Sequence, residues 1–424
     1  MWSTLRDAWK IPEIRKKLLF TLATVFVFRI GSAIPVPYMN QEAIQQLFNN
    51  SQGTMLDFLD MMAGGNISQF SVFATSIYPY ITASIVIQLL TYAIPSLEEL
   101  AKDEDGRKKI QIYTRYLGIA LAFVTAIGYT FGLFGSALEA TTLMQKMIVV
   151  LSIVGGTAFL IWLSDQITMY GISNGSSIII FLGIIGKLPG DIRKMIYGVK
   201  IGYISILSVV LFTIFALFVV VIVVAINEGE RRIPVQYAKR VVGRKLYGGQ
   251  ATHIPIKVSM SGVMPIIFAN AIMSIPGLLS IFNPEGGFAR FFTNWFTTQT
   301  VKGTVIYTIL NIVLIIAFAF FYSSMQFNTV EYSKNLQQQG GFIPGIRPGK
   351  PTSVYLQRIL DRVVIVGAIV LAFLATIPTF VSIFTKIPIA FGGTSLIIVV
   401  GVVIEIVKSI EQQMLIRHYK GFLN

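Results

Sequence analysis

The chain has 424 residues, of which 54% are hydrophobic and only 13% are charged, and its mean hydropathy is +0.70. It contains no cysteine, which excludes disulfides, thiolate nucleophiles and cysteine metal sites, and its formal net charge is +14. A chain this apolar, with apolar runs of about 20 residues, is predicted to be an integral membrane protein of spanning α-helices.

The N-terminal segment, residues 1–17, is basic, and the first apolar run starts at Leu18. More spans follow this run and no small-residue cleavage site does, so we expect a retained helix rather than a signal peptide. Hydropathy predicts ten spans, of which the fifth is short and rich in Gly. They cover approximately residues 18–35, 73–94, 115–135, 147–169, 176–190, 203–226, 261–282, 303–323, 360–383 and 391–409.

Between the first two spans lies the sequence FLDMMAGGNISQFS, residues 58–71. It is too short and too polar to cross a bilayer by itself. The residues alone fit either an ordinary surface loop outside the membrane or a segment that enters the protein without spanning it.

The positions of Lys and Arg predict the orientation. No Lys or Arg occurs from Ile30 to Ala101, and most of the 34 basic residues fall in cytoplasmic segments if the N-terminus is cytoplasmic. The positive-inside rule therefore predicts that both termini are cytoplasmic. Anionic lipid accounts for most of this basic surface without a nucleic-acid partner. The connection after the fifth span is a local exception, with Lys187, Arg193, Lys194 and Lys200 outside.

Two predicted cytoplasmic loops, residues 227–259 and 326–358, are much longer than the usual helix connection of about 2 to 8 residues. They are either extended linkers or docking surfaces for a large acidic partner, and paired basic residues favour docking. The pairs in the first loop are Arg231 and Arg232, Lys239 and Arg240, and Arg244 and Lys245.

Two pairs of spans have matching sequences. The second span, SIYPYITASIVIQLL, aligns with the seventh, GVMPIIFANAIMSIP, when their first prolines are matched, and Ile81 then lies opposite Ile267. The fifth span begins GSSIII and the tenth GTSLII, which places Ile180 opposite Ile398. Membrane transporters and channels are often built of repeated halves with the functional site at corresponding positions. The matches are short, so coincidence is the alternative at this point.

Six segments together resemble the SecY channel family, in that family's order and spacing. They are PYITASIVIQLL, GISNGSSIIIF, ERRIPVQYAKR, THIPIKVSMSGVMP, GFIPGIRPGKPT and FGGTSLIIVV. The resemblance covers essentially the whole chain and implies an all-α membrane protein of ten transmembrane helices in two inverted five-helix halves, residues 18–190 and 203–409. A short plug helix that does not span the membrane and a cytoplasmic tail, residues 410–424, complete the implied fold.

The implied function is a protein-conducting channel of the bacterial plasma membrane. It would pass unfolded secretory polypeptides through a narrow pore and release hydrophobic segments into lipid through a lateral gate between the second and seventh spans. A ring of isoleucines can exclude water by dewetting and still yield to a passing chain. The implied ring is Ile77, Ile81, Ile180, Ile267 and Ile398, which includes the four repeat-matched positions.

The resemblance assigns the plug to residues 56–70, where two glycines weaken helix propensity by about 1 kcal/mol each and so suit a movable element. Its singled-out residues are Leu56, Met61, Met62, Gly64, Gly65 and Phe70. The implied gate residues are Thr82, Ile85 and Gln88 on the second span with Ser259, Ile267 and Ile275 at the seventh. Ser259 departs from the Asn that many bacterial members have at this position.

The resemblance implies that the two long loops receive the motor ATPase SecA and the translating ribosome. Arginine suits such contacts because its guanidinium binds carboxylate and RNA phosphate. The implied contact residues are Arg231, Arg232, Lys239, Arg240, Arg244, Lys245 and Arg347. The other implied partners are the SecE and SecG subunits, signal-sequence-bearing polypeptides and membrane lipid, and no cofactor is implied.

A small-solute secondary transporter is the main alternative, because it too can have inverted repeats and interrupted helices. It would need buried ionisable residues for coupling, and the candidates are Arg29, Asp165 and Glu405, the last two near span ends where snorkelling or packing is favoured. An intramembrane enzyme is a weaker alternative, since no phosphate-binding motif, paired catalytic carboxylates or metal cluster is evident. His253 and His418 lie far apart and are interpreted as surface residues.

Overall fold

The helices account for most of the computed structural model, which describes residues 2–50, 60, 63–202, 204–237, 240–242, 245–247, 251–260, 262–281, 286–296, 301–385 and 393–421. In the N-terminal part they are α1 (Trp2–Lys10), α2 (Pro12–Ala33), α3 (Gln41–Asn50), α4 (Tyr78–Ala93), α5 (Pro95–Lys102), α6 (Glu104–Ile127), α7 (Leu143–Tyr170) and α8 (Gly175–Lys200). In the C-terminal part they are α9 (Ile206–Glu228), α10 (Met264–Ile281), α11 (Gly287–Phe296), α12 (Val301–Gln326), α13 (Thr329–Gln338), α14 (Lys350–Thr385) and α15 (Gly393–Gly421).

Helix starts follow local capping chemistry. Thr142 and Gln145 form a capping box at the start of α7, in which each side chain meets a backbone N–H that the helix leaves unpaired. The Asn174 side chain accepts hydrogen bonds from the N–H groups of Ser176 and Ser177 and so begins α8. These caps place the first turns of the long helices at defined residues.

Helices occupy all ten positions at which the sequence predicts spans. By length and apolarity alone, six of the described helical segments could cross a membrane, or seven if α4 and α5, which are bent by 103°, count as one broken span. The six are Glu104–Leu133, Leu143–Tyr170, Gly175–Lys200, Ile206–Glu228, Lys302–Gln338 and Lys350–Ile377. The first of these extends α6 through a π-helical turn, Gly128–Leu133.

The fifth predicted span is longer than its hydropathy indicates. The prediction ends at residue 190, whereas α8 continues to Lys200 and contains Pro189 in its interior. The apolar run ends before Asp191, but the backbone hydrogen bonds of the helix continue through the charged residues that follow. A hydropathy window therefore underestimates the length of this helix. The basic connection predicted after residue 190 is therefore the last part of a helix.

Two small sheets require a correction to the all-α prediction. The strands β1 (Glu230–Tyr237), β4 (Ala251–Lys257) and β5 (Gly341–Phe342) form one antiparallel sheet in the order β4-β1-β5. The strands β2 (Arg240–Val242) and β3 (Lys245–Tyr247) form a separate pair. The first sheet forms because Ile233 and Val235 alternate with exposed residues and are buried. Both predicted loops contribute strands to it.

The described core is divided into clusters. A central cluster draws side chains from α2, α4, α7, α8, α9, α10, α12, α14 and α15. A second cluster packs residues 63–70 against α3, the end of α6 and the start of α7. A third joins the three-stranded sheet to α12, α13 and α14. The central cluster is the only one of these three that takes residues from helices of both predicted halves.

Candidate functional site

The five isoleucines of the predicted pore ring are all buried in the central cluster, with exposures between 1% and 9%. They reach it from four different helices, since Ile77 caps the start of α4, on which Ile81 also lies, and the other three lie on α8, α10 and α15. The described residues bring all five together in one apolar cluster. Lining of a pore by these side chains stays a prediction.

Corresponding helix positions support the repeat. Ile81 follows the first residue of α4, Tyr78, by three residues, and Ile267 follows Met264 of α10 by the same interval. Ile180 and Ile398 each lie five residues after the glycine that begins α8 or α15. The matched sequences therefore begin matched helices, and within each matched pair the two isoleucines lie at the same distance from their helix starts.

The predicted plug is described only in part. Leu56, Met61 and Met62 lie outside the described residues, and residues 63–70 form consecutive turns rather than a regular helix. Gly64 and Gly65 have φ values of +72° and +83°, a left-handed backbone that glycine adopts without steric cost.

The end of this segment is anchored by its last aromatic residue. Phe70 is fully buried and its ring contacts that of Phe134 edge-on, with centroids 5.0 Å apart. The Phe70 carbonyl accepts a hydrogen bond from the N–H of Val36 at 3.0 Å. The segment therefore packs into the protein through Phe70, and its role as a plug stays a prediction.

The segment rests on one face of α8. The Gly64 backbone touches Gly183 so closely that a Cβ added at Gly64 would meet the Gly183 Cα at 2.3 Å. One helical turn further, the Lys187 Nζ donates to the Asp60 carboxylate at 2.8 Å. We call this surface of α8, Gly183 and Lys187, the plug seat. Asp60 was not among the site residues predicted from the sequence, and Lys187 was noted only as an exception to the positive-inside rule.

The predicted gate helices α4 and α10 contact each other, and we call their contact the gate seam. Ile85, Ser259 and Ile267 are buried, whereas Thr82 and Ile275 are half-buried. The half-buried Gln88 donates to Ser84 of its own helix at 3.2 Å, so this bond does not cross the seam.

A hydrogen bond does cross the gate seam, from a residue that the sequence analysis missed. The Tyr78 hydroxyl donates to the Ala271 carbonyl of α10 at 2.7 Å, and Tyr78 is buried. On the far side of α10, the Asn311 amide of α12 donates to the Asn270 side-chain oxygen at 3.1 Å. Asn270 therefore faces another helix, as the cost of polar groups in lipid requires.

Four of the predicted docking residues, Arg231, Arg232, Arg240 and Lys245, lie on strands of the two sheets. Arg231, Arg232 and Arg347 are exposed, and Arg232 forms an ion pair with Glu230 at 2.6 Å. In the β2–β3 pair, Arg240 lies opposite Tyr247 and Lys245 lies opposite Val242. Lys239 and Arg244 lie outside the described residues. Pairing of β1 with β5 joins the two loops into one surface, a relationship that loop length alone could not reveal.

The ionisable residues that a small-solute transporter would need are engaged in structural contacts. Asp165 pairs with Arg115 at 2.9 Å, Glu405 accepts from the Ser173 hydroxyl at 3.1 Å, and Arg29 donates to a backbone carbonyl of α8.

Among the described residues, no group of three or more His, Cys, Asp or Glu is arranged to hold a metal ion. His253 is exposed on β4, and the side chain of His418 lies outside the described residues.

Comparison with known proteins adds a family and close relatives. The family model described as SecY matches residues 71–407. A protein translocase subunit SecY from Aquifex aeolicus is 41% identical over 428 residues, which cover 99% of this chain and 99% of that protein.

Solved structures of low sequence identity share the fold. One concerns the plug domain of a SecY protein, which stabilises the closed state of the translocation channel and maintains a membrane seal; it aligns with a TM-score of 0.68 at 20% identity. Another is Sec61 in the canine ribosome-channel complex from the endoplasmic reticulum, with a TM-score of 0.62 at 19% identity. Each alignment covers 97% of this chain and 97% of the other.

Proposed function

This chain belongs to the SecY family, and we propose on that basis that it is the protein-conducting channel of a translocase. Unfolded secretory polypeptides cross a membrane through it, and it is a channel subunit rather than an enzyme. The observation that carries the proposal is the full-length 41% identity to a protein translocase subunit SecY. The central apolar cluster receives side chains from helices of both halves, and we assign the channel to this cluster.

The route of the polypeptide runs through the isoleucine ring. Four of the five residues lie at matched positions of matched helices, so the two halves contribute equivalent side chains to the central apolar cluster. A purely apolar constriction offers water and ions no hydrogen bonds, and it therefore dewets when empty. Branched aliphatic side chains have no fixed partner to lose, so they move aside for a chain of any sequence.

The finer architecture of the proposal is ten transmembrane helices in two inverted halves with a short plug helix. The shared starts of α4 with α10 and of α8 with α15 support the two halves. The helices α2, α10 and α15 are not among the six segments that are long and apolar enough to cross a membrane alone. Met264–Gly277 of α10 is apolar but short, and α2 contains charged residues, including Arg29. Helices that face a protein interior need less apolar surface than helices surrounded by lipid.

The lateral gate is the seam between α4 and α10. Hydrogen bonds between membrane helices contribute only about 0.6 kcal/mol on average, so a seam with few of them can open. A hydrophobic segment supplies the opposing free energy, because each Leu or Phe favours lipid by about 0.3 to 0.6 kcal/mol at a helix centre. Roughly ten such residues provide several kcal/mol and can part the two helices.

The exposed arginines on the joined cytoplasmic loops are the proposed contacts for the motor ATPase SecA and the ribosome. Canine Sec61, which shares the fold, occurs in a ribosome-channel complex, and this supports a ribosome as one partner. SecE and SecG complete the proposed complex. The proposed location is the bacterial plasma membrane with both termini cytoplasmic, an orientation that the distribution of Lys and Arg favours.

The test uses the absence of native cysteine. We expect Ile81→Cys to form an oxidative cross-link with an arrested secretory polypeptide that carries one cysteine, and only when the motor has started translocation. The matched control is Ile153→Cys, because Ile153 is equally buried but belongs to the cluster around α7 rather than the central one.

A motor-dependent adduct at position 81 and none at position 153 would support a polypeptide path through the ring. Equal adducts at both positions, or none at position 81 when exposed cysteines react normally, would contradict it. A small-solute transporter predicts no adduct at either position, so the same experiment excludes the main alternative.

A further inference from the structure

We propose that Asp60 and Lys187 form an electrostatic latch that holds the plug segment on the plug seat and so sets how firmly the channel is closed. The inference rests on the proposed function, because it assigns a role to residues beside the channel centre. Both are positioning residues rather than parts of the polypeptide path.

The latch is a buried ion pair between distant parts of the chain. The Nζ–carboxylate distance is 2.8 Å, and the side chains of Asp60 and Lys187 are only 3% and 17% exposed. Exposed ion pairs contribute little, but removal of one partner from a buried pair leaves an unpaired charge in a poorly solvated site. In the docked segment each charge therefore depends on the other, and removal of either charge alone disfavours docking.

Asp60 also organises the segment that it anchors. Its second carboxylate oxygen accepts the Ser68 N–H at 2.8 Å, and its backbone carbonyl accepts the Gly65 N–H at 2.8 Å. One residue thus closes the turns of the segment and fixes the segment to α8. The local fold of the segment and its docking are coupled through a single carboxylate.

Two adjacent faces of α8 contact different partners, and only one of them is the plug seat. Gly183 and Lys187 are four residues apart and lie on the face that meets the segment. The adjacent face, Leu182 and Gly186, meets Arg29 of α2, whose guanidinium donates to the Leu182 carbonyl at 3.0 Å and fills the space beside Gly186. The Arg29 side chain is therefore engaged on the other face, and Lys187 is the cation that meets Asp60.

This pairing accounts for a basic residue that the positive-inside rule does not explain. Lys187 lies near the outer end of the fifth predicted span and was counted with the basic residues outside, where Lys and Arg are normally depleted. The latch is also reversible, because displacement of the segment into an aqueous pore returns both charges to water and recovers the desolvation cost of the pair.

The experiment measures ion flux through the complete channel complex in proteoliposomes. Asp60→Asn keeps an oxygen for the Ser68 N–H and removes only the charge, and Lys187→Met keeps most of the side-chain stem. We expect each single variant to raise the resting ion flux by on the order of tenfold or more. The double variant, which leaves no unpaired charge, is expected to leak less than the product of the two single effects.

Matched controls are Lys200→Met, on the last turn of the same helix, and Glu42→Gln, both at exposed residues. They are expected to leave the flux unchanged. Single variants that leak no more than these controls, or strictly multiplicative effects in the double variant, would overturn the latch. The same proteoliposomes are tested for preprotein translocation, and failure of the wild type there would count against the proposed function instead.

Discussion

The plug seat and the gate seam, the two closures proposed for this molecule, are built from different contacts. At the plug seat, two backbones touch at Gly64 and Gly183, and a buried ion pair of 2.8 Å lies one turn away. At the gate seam, apolar side chains pack around a hydrogen bond from Tyr78 to the Ala271 carbonyl. The first closure depends on exact positions and the second mainly on apolar area.

This difference fits what each closure must recognise. A seal against ions benefits from directional contacts, because such contacts stabilise the segment only in its fully docked position. A partly displaced segment loses them. A lateral exit must respond to the hydrophobicity of many unrelated segments, and apolar packing without fixed partners is exchanged readily for contact with another apolar surface. Substitutions at the two closures should therefore differ in size and in the property that they change.

The largest effect is expected at Gly64. An alanine there must keep a φ of +72°, which costs about 1–2 kcal/mol, and its Cβ would also collide with the Gly183 backbone. Overpacking of this kind costs a further 1–3 kcal/mol or so. We expect Gly64→Ala to displace the segment, measured as increased resting ion flux and as protease cleavage near residue 64.

Gly65→Ala is the matched control for that change. Its φ of +83° imposes a similar backbone cost, but the nearest atom to its added Cβ is the Lys187 Cγ at 3.9 Å, an ordinary contact. We therefore expect a clearly smaller increase in flux than for Gly64→Ala. Equal effects of the two alanines would mean that backbone conformation alone, and not close contact with α8, holds the segment.

An intermediate effect is expected at the gate seam from Tyr78→Phe. The change removes the hydroxyl that crosses to α10 but keeps the ring, and net hydrogen bonds contribute about 0.5–1.5 kcal/mol. We expect a model segment of marginal hydrophobicity to enter lipid roughly threefold more often, measured as its inserted fraction, while ion flux at rest stays unchanged.

Tyr92→Phe controls for the loss of a hydroxyl from the same helix, since Tyr92 is 69% exposed and its ring contact with Phe321 is retained. We expect no change in the inserted fraction for this variant. An increased resting ion flux in Tyr78→Phe, without any change in insertion, would contradict the separate roles of the two closures.

These closures also separate what the sequence can predict from what it cannot. The repeat matched Ile81 with Ile267 and Ile180 with Ile398, and all four side chains are buried in the same cluster. The internal repeat of the sequence is sufficient to predict which of these isoleucines occupy equivalent positions. The partners Asp60 and Lys187 are 127 residues apart, and Tyr78 and Ala271 are 193 apart. No local pattern encodes such pairs.

The sequence also predicted only part of the structure of the two long loops, which were expected to be cytoplasmic. Paired basic residues indicated a surface, but the alternation around Ile233 and Val235 was hidden by the prolines and charges of the loop, and the strand order β4-β1-β5 joins segments from two separate loops. Hydropathy likewise ended the fifth span at residue 190, while α8 continues to Lys200. The contact of Lys187 with the plug segment could not be predicted from hydropathy either.

The smallest effect is expected from Thr82→Val, although Thr82 was predicted to be a polar residue of the gate. Its hydroxyl donates to the Tyr78 carbonyl of its own helix at 3.2 Å, a bond that does not cross the seam, and valine has nearly the same shape. We expect the inserted fraction of the marginal segment to change by less than about twofold, as for ordinary substitutions within about 0.5 kcal/mol.

Comparison of Thr82→Val with Tyr78→Phe in one insertion assay then tests whether position on the seam or a bond across it matters. Both variants lose one hydroxyl from α4, and the two residues lie one helical turn apart. A Thr82→Val effect as large as that of Tyr78→Phe would show that polarity of the seam, rather than the single crossing bond, sets the threshold. The gate would then differ even more from the plug seat, where individual contacts at exact positions hold the segment.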